Sequence, residues 1–185
     1  MAEYYLISQL PSLDGINENA PLPITSERFE ELCRRFLGKK AQGVLDKLTL
    51  APPRNPETIS SALVEKWNEG ERSLRVALAK LRADKMNKNF ADDNKSFSPV
   101  LLQTVRTAIE FESPMEAEKY LNKFRLDFLE TLRPTDSFSE EFVFYYGIKL
   151  KLIERIRKFD SESGEAAYRN IYNSIMNGDR SEAAE

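Results

Sequence analysis

The sequence predicts an all-α protein, a multi-helix bundle with one long central helix. Apolar residues recur every three or four positions through most of the chain, which is the spacing of one buried helix face. Clusters of glycine, proline and serine divide this pattern into segments of helical length. The one candidate strand, YYLISQL at residues 4–10, has no partner strand, so we interpret it as helical or extended packing.

Two short helices are predicted after the proline-rich loop PSLDGINENAPLPITS at residues 11–26. The first, SERFEELCRRFLG, has apolar side chains at helical spacing and a glycine placed to end it. The second, KKAQGVLDKLTL, repeats the spacing and is stopped by the run APPRNP. The sequence before residue 56 therefore supplies two amphipathic helices and a loop of a length that is often functional.

The long central helix is predicted from Pro56 to about Lys88, and it would span roughly 50 Å at 1.5 Å per residue. Gly70 lies inside it and costs about 1 kcal/mol relative to alanine, so we expect a kink or a close contact with another helix there. The polar stretch NKNFADDNK at residues 87–95 ends the helix.

Three serines mark further helix starts, because a serine hydroxyl accepts a hydrogen bond from an otherwise unpaired amide in the first helical turn. They are Ser98, followed by proline, Ser113, followed by proline and Glu116, and Ser137, followed by Glu140. The helix after Ser113 is expected to stop before Pro134, because proline cannot continue a helix.

A last helix is predicted over about residues 165–176. We expect one helical domain over residues 1–178, with a candidate sub-boundary at 89–97 and a frayed C-terminal tail at 179–185.

The residue types present argue against catalysis. The chain has no histidine, which removes Ser-His-Asp and Cys-His nucleophile arrangements and the usual zinc sites. Neither a P-loop nor a dinucleotide-binding glycine motif occurs. The single cysteine, Cys33, excludes an intramolecular disulfide and favours packing beside Leu32 and Phe36. We therefore predict no enzyme activity, no cofactor, no metal site and no small-molecule substrate.

A basic stripe on the long helix is the main candidate for function. Six bases lie between Arg72 and Lys88 against one acid, Asp84. Bases near a helix C-terminus also complement the helix dipole, so ordinary helix stabilisation is the competing interpretation. Docking to an acidic protein surface, where arginine pairs with carboxylates, is the better functional interpretation. The predicted partner-binding residues are Arg72, Arg75, Arg82 and Lys85.

A second basic run lies on another predicted helix and comprises Lys149, Lys151, Arg155, Arg157 and Lys158. If both runs shared one surface they could bind phosphates. Neither run, however, has the interleaved aromatic residues of a single-strand binder, and the net charge is −3. We therefore expect no nucleic-acid partner.

The chain is expected to be cytoplasmic, and at most peripheral to the membrane as part of a complex. Its first ten residues, MAEYYLISQL, carry an acid where a secretion signal needs bases. No apolar run approaches the roughly 20 residues that span a bilayer, so we predict no direct membrane span.

Three segments resemble a known family: EYYLISQLPSLD, APLPITSERFEELCRRFL and WNEGERSLRVALAKLRADKM. They look like a family of uncharacterised bacterial proteins that are encoded alongside V-type ATPase components. That family is similar to the C subunit of V-type ATP synthases, a relative of the eukaryotic d subunit and an all-helical protein that couples the central stalk to the membrane rotor ring. The residues that match the arginine-and-leucine pattern of the family are Arg75, Leu78, Leu81, Arg82 and Ala83.

The resemblance implies a fold like that of the V-type ATPase C subunit, and it implies no catalytic residue. It also implies a non-catalytic subunit or accessory factor of a bacterial V-type ATPase, which supports coupling or assembly through contacts with the other ATPase subunits. The alternative is a free-standing helical protein-interaction adaptor or regulator that has no ATPase partner.

Overall fold

A computed structural model describes residues 2–15, 21–53, 55, 58–90, 96–158, 164 and 168–172. The described residues contain helices and no strand, which confirms the all-α prediction. The segment interpreted as helical or extended packing at the start of the chain lies mostly in a helix. The elements are α1 Ala2–Ser8, α2 Ser26–Phe36, α3 Lys39–Leu45, α4 Ala62–Lys85, α5 Pro99–Glu110, α6 Pro114–Thr131 and α7 Glu140–Arg157.

The long helix α4 is shorter than predicted at both ends. It begins at Ala62 rather than Pro56, because Ser61 adopts an extended conformation and its hydroxyl accepts a hydrogen bond from the amide of Val64 at 3.2 Å. Pro56 itself lies outside the described residues. At the other end the left-handed backbone of Asn87, with φ of 53°, ends the helix before Lys88. The 24 residues of α4 span about 36 Å.

Two of the three predicted helix starts are confirmed. Ser98 accepts from the amide of Leu101 at 3.2 Å, and Ser113 accepts from the amide of Glu116 at 3.4 Å. The third was wrong, because Ser139 rather than Ser137 caps α7. An Asp136 carboxylate that accepts from the amide of Phe138 holds the preceding residues in a turn, so the helix starts two residues later.

The apolar residues form two clusters. The larger one joins α1, α2, α3, the first half of α4 and most of α7. The smaller one joins the second half of α4 with α5 and the first half of α6. Every residue from 143 to 150 is buried, so α7, rather than the longer α4, is the most deeply buried helix in the described part of the chain.

The described residues cover only part of what the sequence predicts for the domain organisation and the end of the chain. The single-domain prediction and its sub-boundary at 89–97 stay predictions. Residues 168–172 are helical, as expected for the last helix, while the rest of the predicted 165–176 segment and the whole tail at 179–185 lie outside the described residues.

Gly70 makes the close helix contact that its position inside α4 predicts. The ring of Phe128 on α6 occupies the space where a side chain at Gly70 would begin. Because Glu71 also contacts Arg125, one turn earlier on α6, the two helices run in opposite directions where they meet. The glycine therefore serves the packing of α4 on α6.

None of the helices described by the structure combines the length and the apolar character that crossing a membrane requires.

Candidate docking surface

The four predicted partner-binding residues lie on α4, within an arc of roughly 140° at 100° per residue. Arg82 and Lys85 are exposed in its last two turns, and no carboxylate in the described part of the chain pairs with either of them. Arg75 is used inside the fold instead. Its guanidinium donates to the Glu71 carboxylate at 2.9 Å and to the Leu50 carbonyl at 2.8 Å, so it braces a loop against the helix.

A buried ion pair beneath this face joins α4 to α6. The Glu71 side chain is 1% exposed, and Arg125 meets it with two parallel hydrogen bonds of 3.0 and 3.2 Å. Arg125 also donates to the Asn122 amide oxygen at 2.9 Å and to the Glu118 carboxylate at 3.1 Å. A buried charge is tolerated only when it is paired in this way, so the network fixes how the two helices sit on each other.

Sequence reasoning missed this pair, although a signal was present. Glu71 occupies a position on the apolar face of α4, four residues after Trp67 and three before Leu74, which are both buried. An acid at a core position of a helix needs a buried basic partner. The structure supplies that partner from α6.

The network extends to α7 through Glu118. Its carboxylate accepts from Arg155 at 2.5 Å and from Arg125 at 3.1 Å. Charged side chains therefore link α4, α6 and α7. The two helices that carry the basic runs, α4 and α7, are connected through this network.

The two basic runs meet at the short segment 48–50, between α3 and α4. On one side Arg75 donates to the Leu50 carbonyl at 2.8 Å, and on the other Lys151 donates to the Leu48 carbonyl at 3.3 Å. An open depression of about 350 Å³ beside the segment is lined by Leu48, Thr49, Leu50, Lys151, Glu154, Arg155 and Lys158. We call the surface formed by segment 48–50 with Arg72, Lys151 and Lys158 the basic surface.

Three carboxylates beside this surface are already engaged. Glu154 accepts from the amide of Ser26 at 2.9 Å and from its hydroxyl at 2.6 Å, at the first turn of α2. Glu71 and Glu118 are held by arginines. In the described part of the chain no carboxylate pairs with Arg72, Lys151 or Lys158. On the α7 side the surface therefore carries an excess of positive charge, whereas Glu65 and Glu69 lie beside Arg72 on the α4 side.

A cleft of about 380 Å³ opens on the α4 side of the same segment. Its described lining residues are Lys47, Thr49, Pro53, Ile59, Glu65, Asn68, Glu69 and Arg72. Asn68 is 5% exposed, and no described group bonds to its buried Oδ1 atom. An unsatisfied buried amide oxygen is costly, so Asn68 is an unusual residue in the lining of this cleft.

Lys149 does not belong to the basic surface, although it is part of the basic run. Its side chain is buried against the loop before α2, where Nζ donates to Asp14 at 2.5 Å and to Glu130 at 2.6 Å. Tyr145 also donates its hydroxyl to Glu130 at 2.7 Å. The lysine therefore ties the N-terminal loop to α6 and α7.

These contacts shift the pKa values of the groups around Lys149. The hydrogen bond from Lys149 lowers the pKa of Asp14. Burial opposes ionisation of Glu130, but hydrogen bonds from Lys149 and Tyr145 outweigh it, and its pKa is lowered. Burial also disfavours the charge on Lys149, and the same two carboxylates outweigh that effect and raise its pKa. Burial and the Glu130 contact raise the pKa of Tyr145 to about 12. All three ions therefore stay charged near neutral pH.

Cys33 packs in the larger apolar cluster, in the position expected for a core thiol. Burial, with a smaller effect from nearby Glu30, raises the pKa of its thiol to about 12. Thiolate is the reactive form, so the thiol is almost wholly in its unreactive state at neutral pH. Within the described ranges no group of three acidic, cysteine or histidine side chains is arranged to hold a metal ion.

Comparison with known proteins gives one match. A family model described as a protein of unknown function, DUF2764, matches residues 96–179, which include α5, α6 and α7. No curated protein and no solved structure matches the chain. The segments that carry the ATPase-associated resemblance lie before residue 89, outside the matched region.

Proposed function

We propose that this protein is a non-catalytic subunit or accessory factor of a bacterial V-type ATPase, which binds other ATPase subunits and supports coupling or assembly. The resemblance of the segments before residue 89 supports the choice of complex. The structural observation that carries the docking role is the meeting of two basic runs, from α4 and α7, at segment 48–50.

A protein that works by contact needs a surface held in one shape. The buried pair of Glu71 with Arg125 and the contact of Glu118 with Arg155 connect α4, α6 and α7 beneath the basic residues. Side chains that are ordered before binding lose less conformational entropy when a partner arrives. The arrangement suits the transmission of force or the holding of a fixed geometry.

The predicted docking residues divide into two roles. Arg72, Arg82 and Lys85 are available to acidic groups on a partner, whereas Arg75 braces Glu71 and Leu50. Electrostatic complementarity of this kind speeds association and selects the partner. Substitutions that change the charge of Arg72, Arg82 and Lys85 therefore test docking without removing a contact that holds the fold together.

Co-purification tests this function. Tagged wild-type protein is expressed in its native cells, membranes are solubilised gently, and the bound proteins are identified by mass spectrometry. We expect V-type ATPase subunits, and we expect their recovery to fall at least tenfold when Arg72, Arg82 and Lys85 are changed together to glutamate. Arg106→Glu is the matched control, because Arg106 is an exposed base on α5. Recovery of no ATPase subunit with the wild-type protein would overturn the proposal.

The adaptor alternative is favoured by a second exposed surface of different chemistry. Tyr4 on α1 stacks on Phe138, with ring centroids 4.8 Å apart, and both rings are exposed along with Tyr5. Exposed aromatic side chains are common at protein interfaces. An adaptor uses two surfaces to join two partners, and recovery of the same two non-ATPase proteins in every co-purification would establish it.

A further inference from the structure

We infer that the basic surface binds an acidic segment of a partner protein, and that the cleft beside Arg72 receives one of its carboxylate side chains. This inference rests on the proposed function, because it names the partner chemistry of the docking surface. It also states where on the surface the partner binds and which groups recognise it, which the predicted basic stripe on α4 alone does not give.

Bases lie on both sides of segment 48–50. Arg72 lies on α4, Lys151 and Lys158 lie on α7, and segment 48–50 separates them. The acids near the α7 bases are held by Ser26 and Arg155, and the acids beside Arg72 are Glu65 and Glu69 of the cleft. An extended acidic segment that crosses residues 48–50 meets bases on both sides of its path.

The cleft contains groups that can bind a carboxylate. Arg72 offers the planar donor set that matches a carboxylate. Asn68 is almost fully buried and makes no hydrogen bond in the described part of the chain; its Oδ1 atom is the buried end of the amide, so its NH2 group can donate to a bound carboxylate. Thr49 adds a hydroxyl in the lining. These groups suit a single carboxylate on a side chain.

The remaining lining residues favour a protein segment over a polyphosphate or a nucleic acid. Glu65 and Glu69 also line the cleft, and they repel a densely charged phosphate chain more strongly than one carboxylate. The apolar side chains in the described lining are Pro53 and Ile59, and no aromatic ring is present there for a base to stack on. A glutamate or aspartate with its methylene groups fits this mixed wall.

Binding of a fluorescent oligoglutamate peptide, measured by anisotropy at low and at physiological salt, tests the inference. Arg72→Gln should weaken binding about fivefold or more, because it removes the donor set that faces the carboxylate. Glu69→Gln should tighten binding about twofold, because it removes a repelling charge in the same cleft. Arg106→Gln, on α5, is the control for a lost surface arginine and should leave the affinity unchanged.

The opposite signs of the two cleft variants protect the test, because loss of folding cannot strengthen binding. Equal weakening of peptide binding by Arg72→Gln and Arg106→Gln would overturn the inference. A peptide affinity that Glu69→Gln does not change would overturn it as well. Tighter binding of a single-stranded oligonucleotide or of inorganic tripolyphosphate than of the peptide would also overturn it. Co-purification with ATPase subunits that persists when the peptide fails to bind would reject this inference and leave the proposed function standing.

Discussion

The ring of Phe128 lies directly against Gly70, so that a Cβ atom at residue 70 would come within 2.4 Å of Cε1 and 2.5 Å of Cζ of that ring. Phe128 is also stacked near Trp67, with ring centroids 6.1 Å apart. Trp67 therefore limits how far the Phe128 ring can move away from Gly70. This contact sets how closely α4 and α6 approach.

Gly70→Ala should lower the free energy of unfolding by about 1–2 kcal/mol, because overpacking outweighs the gain in helix propensity. Urea denaturation followed by Trp67 fluorescence measures the change. Gly43→Ala is the matched control, since nothing lies within 4 Å of a Cβ built at that position in α3, and it should be neutral or stabilising by up to about 1 kcal/mol. A Gly70→Ala protein as stable as wild type would contradict the packing described.

Loss of one partner of the buried pair should be severe. Arg125→Met leaves Glu71 buried with Arg75 as its remaining basic contact, and we expect a loss of about 3–5 kcal/mol in the free energy of unfolding. The double variant Glu71→Gln with Arg125→Met should recover part of that loss, because no unpaired buried charge remains. Urea denaturation of the single and double variants measures these changes. If the loss of unfolding free energy in the double variant equals the sum of the losses in the single variants, the two side chains do not act together.

The network around Lys149 predicts a defined response to pH. Asp14 and Glu130 have lowered pKa values, so their stabilising contribution is present above the ordinary carboxyl range and is lost as pH falls through the lowered values. Lys149 has a raised pKa, so its contribution is complete below its ordinary value and is lost as pH rises through the raised one. The contacts are therefore intact between about pH 5 and pH 10.

NMR titration of the carboxyl carbons checks this response. In Lys149→Met the pKa values of Asp14 and Glu130 should both rise, because the hydrogen-bonding ammonium has been removed. Lys151→Met is a suitable control, since the Lys151 ammonium donates to the Leu48 carbonyl instead. Unchanged titration of both carboxyls in Lys149→Met would rule out the contact between the N-terminal loop and α7.

Cys33 should resist alkylation in the folded protein. Its thiol is buried and has a pKa raised to about 12, so both access and thiolate content are low. Reaction with iodoacetamide at about pH 8 should be at least roughly a hundredfold slower in buffer than in denaturing urea. Equal rates would place the thiol at the surface and would contradict the packing of α2 in the larger apolar cluster.

Features set by neighbouring residues were predictable from the sequence, and features set by distant ones were not. The helices and the caps at Ser98 and Ser113 follow from residues within one turn of each other. The start of α7 was misplaced because the turn at Asp136 competes with the cap at Ser137 for the same backbone. Local propensity also does not show where an extended segment such as the one before Ala62 gives way to a helix.

The sequence predicts Arg72 as a docking residue, which stays a prediction, and it gives no sign that Arg75 turns inward or that Lys149 is buried. The partner of Glu71 lies 54 residues away, and that of Lys149 lies 135 residues away. Only the folded chain brings these charges together, and the packing of α4 and α7 around segment 48–50 creates the basic surface.

Site-specific photo-crosslinking tests whether the surface around Arg72 contacts an ATPase subunit in cells. A photoreactive amino acid replaces Arg72 in one strain and the exposed Arg106 in another, and crosslinked proteins are identified after irradiation of living cells. The account predicts crosslinks from position 72 to an acidic segment of a V-type ATPase subunit, and none to ATPase subunits from position 106. Reproducible crosslinks from position 72 to unrelated proteins, with no ATPase subunit among them, would contradict it.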